Sequence, residues 1–230
     1  MKMNLLVLAS LLAMTGCTHT VKYKLAEQDR WTGPKISKTV AVETFADSTT
    51  PETRKDFKID KTKWRTNYRS RYANSNLTAG VSTMIAKHLA HSGLFANVST
   101  GPTTNADCVL SGTLAEYSSM GRVNSGAETT GAVSAGFGAI GYLLGAAATS
   151  GSKTEIRVSV KMDDLKLTGK SGEVLWQDSI SIRTNFPAHF QAADTSAVFT
   201  HSDNALKSIV TEMIRRIGNT LATNQVRASQ

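Results

Sequence analysis

The residues able to do chemistry are few and widely spaced. Two cysteines, Cys17 and Cys108, five histidines and one adjacent carboxylate pair, Asp163-Asp164, are the candidates for nucleophilic, metal-binding or acid–base work. His88 and His91 are three apart, so a helix would put them on one side, but no third ligand lies near, and zinc needs three or four. Cys108 lies in Ala106-Asp107-Cys108-Val109-Leu110 with no local base or cation to draw off its proton. It reads as a small buried hydrophobe. Asp163-Asp164 interrupts an alternating run and reads as a solvated bulge rather than an acid–base dyad. Gly136-Phe137-Gly138-Ala139-Ile140-Gly141 matches GxGxxG. A dinucleotide site also needs a hydrophobic strand before the glycines, and here Ala, Ser, Thr and Gly precede them. No HExxH, CxxC, GxSxG or Walker pattern occurs. The expectation is a chain with no catalytic residues, no metal and no cofactor.

Cys17 has a different use. Lys2 precedes a ten-residue apolar run, Leu5 to Met14, broken only by Ser10. A membrane-spanning helix needs ~20 apolar residues, so the run reads as a targeting segment over residues 1–16. Met14-Thr15-Gly16-Cys17 resembles a bacterial lipobox, with Met where Leu is usual. The resemblance implies cleavage before Cys17 and lipid on its sulfur, and Thr18 rather than Asp after it implies outer-membrane sorting. Each buried CH₂ contributes ~0.8 kcal/mol, so several acyl chains hold durably. The membrane is therefore one expected partner, reached through Cys17.

Two segments could carry binding. Residues 54–72 hold eight cations, Arg54, Lys55, Lys58, Lys61, Lys63, Arg65, Arg69 and Arg71, against Asp56 and Asp60, a net of +6. Phe57, Trp64, Tyr68 and Tyr72 are interleaved with them. Cations with stacking rings suit single-stranded nucleic acid. An exported lipoprotein meets anionic lipid, lipopolysaccharide or an acidic partner instead, so nucleic acid is not expected. A solvated loop and a contact with a partner or neighbouring subunit stay open beside the lipid reading. The formal charge is +8 over 230 residues. Residues 1–16 hold one cation and no acid, so the mature chain is a nearly neutral body with one cationic, aromatic segment. The second segment, Thr129–Ser152, has twenty-four residues and no charge. Gly138, Gly141 and Gly145, with Leu143 and Leu144, could pack helices closely at an oligomer or membrane contact. Glycine costs about 1 kcal/mol each inside a helix, so a flexible or packed loop stays open ahead of either contact.

Around these segments lie the elements that must position them. At 40% hydrophobic and 19% charged, the chain can bury a core. Residues 17–38 show little periodicity and read as a lipidated tether. A domain is expected over 39–226, with a basic excursion at 49–72, a Gly-rich insertion at 126–152 and a frayed tail at 227–230. Thr39–Phe45, Leu94–Val98 and Cys108–Tyr117 read as strands. Leu77, Val81, Met84, Ile85, His88 and Leu89 fall on one helical stripe stopped by Gly93, which places His88 in the core. Ile156, Val158, Val160 and Met162 alternate, as do Val174, Trp176, Ile180 and Ile182, and Gly169-Lys170-Ser171-Gly172 joins them as a hairpin. Leu206, Ile209, Val210, Met213, Ile214, Ile217 and Leu221 form a last helix, capped by Ser202-Asp203. The order predicts an α+β fold, a two-layer mixed sheet with helices on one face, plus the Gly-rich apolar insertion.

The strings TVAVETFAD, AKHLAHSGLFANV, ADCVLSGTLAEY and VKMDDLKLTGKSGEVLW resemble a group of bacterial envelope lipoproteins. That group includes ABC-type transport auxiliary lipoproteins, the curli-export channel lipoprotein, the Pel-polysaccharide export lipoprotein and the amino-terminal domain of the Tol-system translocation protein. The resemblance implies a non-enzymatic, oligomeric accessory or assembly component of an envelope transport or secretion system, with homo-oligomer and envelope proteins as partners. The alternative is a channel former that inserts residues 129–152. An envelope hydrolase is the third class, and nothing in the motifs favours it.

Overall fold

Alternating and helical-period apolar runs account for most of the architecture. The computed structural model describes residues 20–49, 64–65, 77–101, 105–122, 153–189 and 196–228. Its strands are β1 (Ile36–Val42), β2 (Ala46–Asp47), β3 (Trp64–Arg65), β4 (Phe95–Thr100), β5 (Cys108–Arg122), β6 (Lys153–Gly169) and β7 (Val174–His189). Its helices are α1 (Leu77–Ser92) and α2 (Ser196–Ala228). All seven strands share one mixed, open sheet with the path β4-β1-β5-β6-β7, and β2 and β3 pair with β5.

β1 runs parallel to both β4 and β5, as in Val42↔Thr100 and Val40↔Cys108. Parallel neighbours need a crossover, and α1 supplies it between β1 and β4. β5, β6 and β7 form an antiparallel meander, from Cys108↔Gly169 to Arg122↔Glu155 and from Thr168↔Val174 to Lys153↔His189, while β2 pairs parallel with β5. β6 alone has seventeen residues, so this ribbon is ~55 Å long.

One core lies between the sheet and both helices. From β6 it takes Val158, Val160 and Met162, then Leu165 and Leu167, all fully buried. Strict alternation after Met162 would aim residues 164 and 166 inward. The pairing slips between Met162 and Leu165, and exposed Asp164 takes a positive φ of 51°. One extra residue thus returns Leu165 and Leu167 to the core, and the carboxylate pair is the expected bulge. In β5, a Cβ on Gly112 would lie 2.7 Å from the Phe45 ring and 2.9 Å from Leu165, so glycine makes room for both. α1 buries Leu77, Val81, Met84, Ile85, His88 and Leu89 and stops at Gly93, whose φ is +68°. The α+β class, with a mixed sheet and helices packed on its core, is as the sequence predicts.

Three local expectations need correction. Residues 20–35 are not a free tether, because Val21 is in the core and Tyr23 and Trp31 pack against it. Ser202-Asp203 do not cap α2, since the helix begins at Ser196 and both residues are buried within it. Phe199 precedes them on the same apolar stripe, and Asp203 tolerates burial through the bonds described below. α2 also continues to Ala228, past the point where fraying was expected.

A candidate anchoring site between the two helices

Residues 20–35 form a strap whose contacts advance along α1 and α2 in step. Val21 meets the first turns of α1, where a Cβ on Gly80 would sit 3.4 Å from Val21 Cγ2. The Lys22 amide donates to Asp203 Oδ2 (3.1 Å). Further on, the Tyr23 hydroxyl donates to the Met84 carbonyl and lies against His88 Nδ1, both at 3.3 Å. His91 Nε2 bonds the Ala26 carbonyl at 2.9 Å, and Lys207 Nζ pairs with Asp29 Oδ2 at 2.7 Å. At the far end the Trp31 amide donates to the Ser92 carbonyl, the last of α1 (2.9 Å). The Trp31 ring lies over α2 at Gly218, where a Cβ would come within 2.6 Å of it. Since the strap meets residues 80 to 92 of one helix and 203 to 218 of the other in rising order, it runs parallel to both.

The electrostatics follow from burial. Asp203 is 1% exposed and accepts the Tyr117 hydroxyl from β5 at 2.7 Å as well as the strap amide. A carboxyl with two donors tolerates an apolar core, so Asp203 joins sheet, helix and strap at one point. Burial, with the nearby charges of Asp203 and Asp29, raises the Tyr23 phenol, which stays protonated. Burial depresses the His88 imidazole to about 4, and the charge of Asp29 only partly opposes it. His88 Nε2 is buried without a hydrogen-bond partner. Burial would raise the Asp29 carboxyl, but bonds from Lys207 and the Ala26 amide outweigh it and hold it low.

These contacts make the arrangement a clasp of strap to helices. His88 is in the core as expected, while His91 turns to a strap carbonyl, so the pair does not converge on a ligand. Among the described residues no three His, Cys, Asp or Glu side chains could share a metal ion. Cys108 is fully buried, and burial pushes its thiol up, away from nucleophilic use.

The sequence-predicted binding residues fall elsewhere. Cys17, the cations Arg54, Lys55, Lys58, Lys61, Lys63, Arg69 and Arg71, and Tyr68 and Tyr72 lie outside the described residues. So do Gly138, Gly141, Leu143, Leu144 and Gly145. Trp64 and Arg65 form β3, whose backbone pairs antiparallel with Arg122 and Gly121 at the end of β5. That end is also where residues 123–152 leave and return, because Arg122 pairs with Glu155. It is the end where α2 begins, since Tyr117 meets Asp203 while Arg216 reaches back to Asp178, 2.7 Å away, nearer the other end of β7. Topology thus gathers the basic excursion's β3, both ends of the Gly-rich insertion and the start of α2 at one pole, while the strap enters at the level of Tyr117, which pairs with Val160 midway along β6. The strap itself was missed from sequence, where only the isolated Val21, Tyr23 and Trp31 could have signalled it.

No family model and no curated protein matches the chain. Solved structures do match. A Xanthomonas campestris protein of the DUF330 family aligns over 92% of this chain and 97% of its own, at 16% identity and a TM-score of 0.52. The PelC dodecamer from Paraburkholderia phytofirmans aligns over 78% and 89%, at 18% identity and a TM-score of 0.36. A minor lipoprotein from Acinetobacter baumannii aligns over 84% and 96%, at 10% identity and a TM-score of 0.30. The first of these places the α+β fold in a known structural class along nearly its whole length. Among the described residues, no helix is long and apolar enough to cross a membrane.

Proposed function

We propose that the protein is a lipid-anchored accessory component of a bacterial cell envelope, held at the outer membrane by lipid on Cys17 and working through binding rather than catalysis in transport or secretion. The observation that carries this reading is the clasped strap, which begins only three residues after the lipobox cysteine and ties the chain's start to the core. Chemistry at Cys17 then bears on the position of the whole domain. Homo-oligomers and envelope proteins are the proposed partners, met through the pole where residues 54–72 and 129–152 are rooted.

Intact-mass analysis of envelope-extracted protein tests the anchor. The expected mass is that of a chain starting at Cys17 with acyl groups attached, and Cys17→Ala should abolish both acylation and membrane retention. A soluble, unacylated mature chain would sink the proposal. In-cell cross-linking followed by identification of the captured species tests the accessory role, which fails if only monomer is recovered. That both ends of the segment holding residues 129–152 leave from the same end of the ribbon also supports channel formation as a second reading. It requires bilayer conductance that is lost when Thr129–Ser152 are deleted.

A further inference from the structure

The strap joins the fold on its helical flank, away from both ends of the sheet. Val21 is buried beside Gly80 of α1, and the Lys22 amide bonds Asp203 of α2. Asp203 in turn meets Tyr117, which pairs with Val160 midway along β6. From Tyr117, β5 continues to Arg122 in one direction and back to Cys108 in the other. At ~3.3 Å per residue those ends lie ~17 Å and ~30 Å away. Cys17 precedes Val21 by four residues, and an extended chain covers at most ~3.5 Å per residue, so the leash is ~14 Å or less. The leash is thus shorter than the distance to either end of the sheet, while the helical flank is beside it.

The charges of that flank are one-sided. The outward stripe of α1 is Thr83, Lys87 and Ala90, and that of α2 includes Asn204, Ser208 and Thr211, with no acid in either. The acids beside these stripes are matched: Glu27 pairs with Arg30, Asp29 with Lys207, and Glu212 with Arg215 and Arg216. On the strap, Lys22 and Lys24 are exposed and alternate with the core contacts Val21 and Tyr23. Among the described residues, no carboxylate pairs with Lys22, Lys24 or Lys87. The opposite face of the sheet is mixed instead, with Glu116 on Arg183 and Lys161 on Asp163.

Resting on the lipid-anchor reading above, we propose that the flank formed by the strap and the outward stripes of α1 and α2 lies against the anionic headgroups of the bilayer, so that the strands run along the membrane. Two observations favour a bilayer over a protein at this surface. The short leash brings lipid to the flank where the strap enters, and the unmatched lysines on that flank are Lys22, Lys24 and Lys87. A cation close to an anionic leaflet favours contact about fivefold, an effect that fades within a Debye length. A domain held this way turns the opposite face of the sheet away from the membrane.

The test uses full-length acylated protein in vesicles of phosphatidylethanolamine and phosphatidylglycerol with a nitroxide-labelled headgroup lipid. A fluorophore is placed at exposed Thr211 on the flank (T211C), at exposed Asn185 toward the open end of the ribbon (N185C), or at exposed Ser171 in the far turn (S171C). The buried thiol of Cys108 stays unlabelled. Quenching at 211 is expected to exceed that at 185 and 171 several-fold. Replacing the three lysines together (Lys22→Gln, Lys24→Gln, Lys87→Gln) keeps the Lys22 amide that bonds Asp203, and circular dichroism checks the fold. Quenching at 211 should then fall at least twofold while the protein still floats with the vesicles. Flotation with the strongest quenching at 185 or 171, or with equal quenching at all three positions, overturns the orientation while leaving the anchor intact. Undiminished quenching in the triple variant overturns the role of the headgroup charge. Failure to float together with an unacylated mass overturns both this inference and the anchor on which it rests.

Discussion

Asp203 and His88 are both buried between strap, helix and core, yet they are held in different ways. Asp203 has a donor from each side, the Tyr117 hydroxyl and the Lys22 amide. His88 has one edge contact with Tyr23, their ring centroids 5.6 Å apart, and a second ring nitrogen with nothing to bond. The first group is a satisfied junction that fastens the strap. The second tolerates burial only while it is uncharged, so it makes the same region sensitive to acid. A buried polar group stabilises or weakens a fold according to whether all its bonds are made.

The largest effect should come from breaking the junction. Asp203→Ala removes the acceptor that the buried Tyr117 hydroxyl and the Lys22 amide share, at a cost of about 3 kcal/mol. Urea unfolding would register it, and a loss below 1 kcal/mol would mean that the strap is fastened elsewhere.

Acid should act through His88. Its folded pKa of about 4 lies below the ordinary value of 6.5, so between those values the unfolded chain binds more protons than the folded one. Stability is then fully present above pH 6.5 and lost as pH falls toward 4, by up to about 3 kcal/mol. His88→Leu should flatten the pH dependence of the unfolding midpoint across that window. An unchanged slope in the variant would assign the acid sensitivity to other groups.

A smaller loss is expected at the far end of the strap. Gly218→Ala places a methyl 2.6 Å from the Trp31 ring, which must shift at a cost of about 1–2 kcal/mol. Trp31 fluorescence should move with it, while circular dichroism keeps the α2 signal. The smallest effect belongs to Tyr23→Phe. It removes the 3.3 Å bonds to Met84 and His88 but keeps the ring in place, for about 1 kcal/mol. Faster amide exchange at residues 21–24 would check it, and no change there would place the strap's hold on Val21 and Asp203 alone.

Much of the fold is legible in local patterns. The 77–89 stripe, the Gly93 stop and the hairpin over 153–189 depend on periods of 3.6 and 2, which a short window reveals. The Asp163-Asp164 bulge is legible too, because a two-residue break in an otherwise clean alternation has one simple reading. The strap is not legible. Val21, Tyr23 and Trp31 follow no period, and their partners stand from about sixty to nearly two hundred residues away. Ser202-Asp203 misleads for a related reason. A Ser-Asp pair before an apolar run is ordinarily a helix cap, and only the distant Tyr117 and Lys22 make it a buried junction inside α2. Of the candidate binding residues, only the backbones of Trp64 and Arg65 fall among the described residues, so the sequence remains the source for the chemistry of both segments.

By itself, then, the sequence determined the α+β class, the elements with a clean period, the lipobox-like pattern ending at Cys17 and the concentration of charge in residues 54–72, since each is written in adjacent residues. Only the tertiary structure decided that residues 20–35 are clasped between two parallel helices, and that β3, the ends of the insertion and the start of α2 meet at one pole. Those facts depend on hydrogen bonds and buried contacts between residues far apart in the chain, and such contacts exist only once the sheet and helices have brought them together.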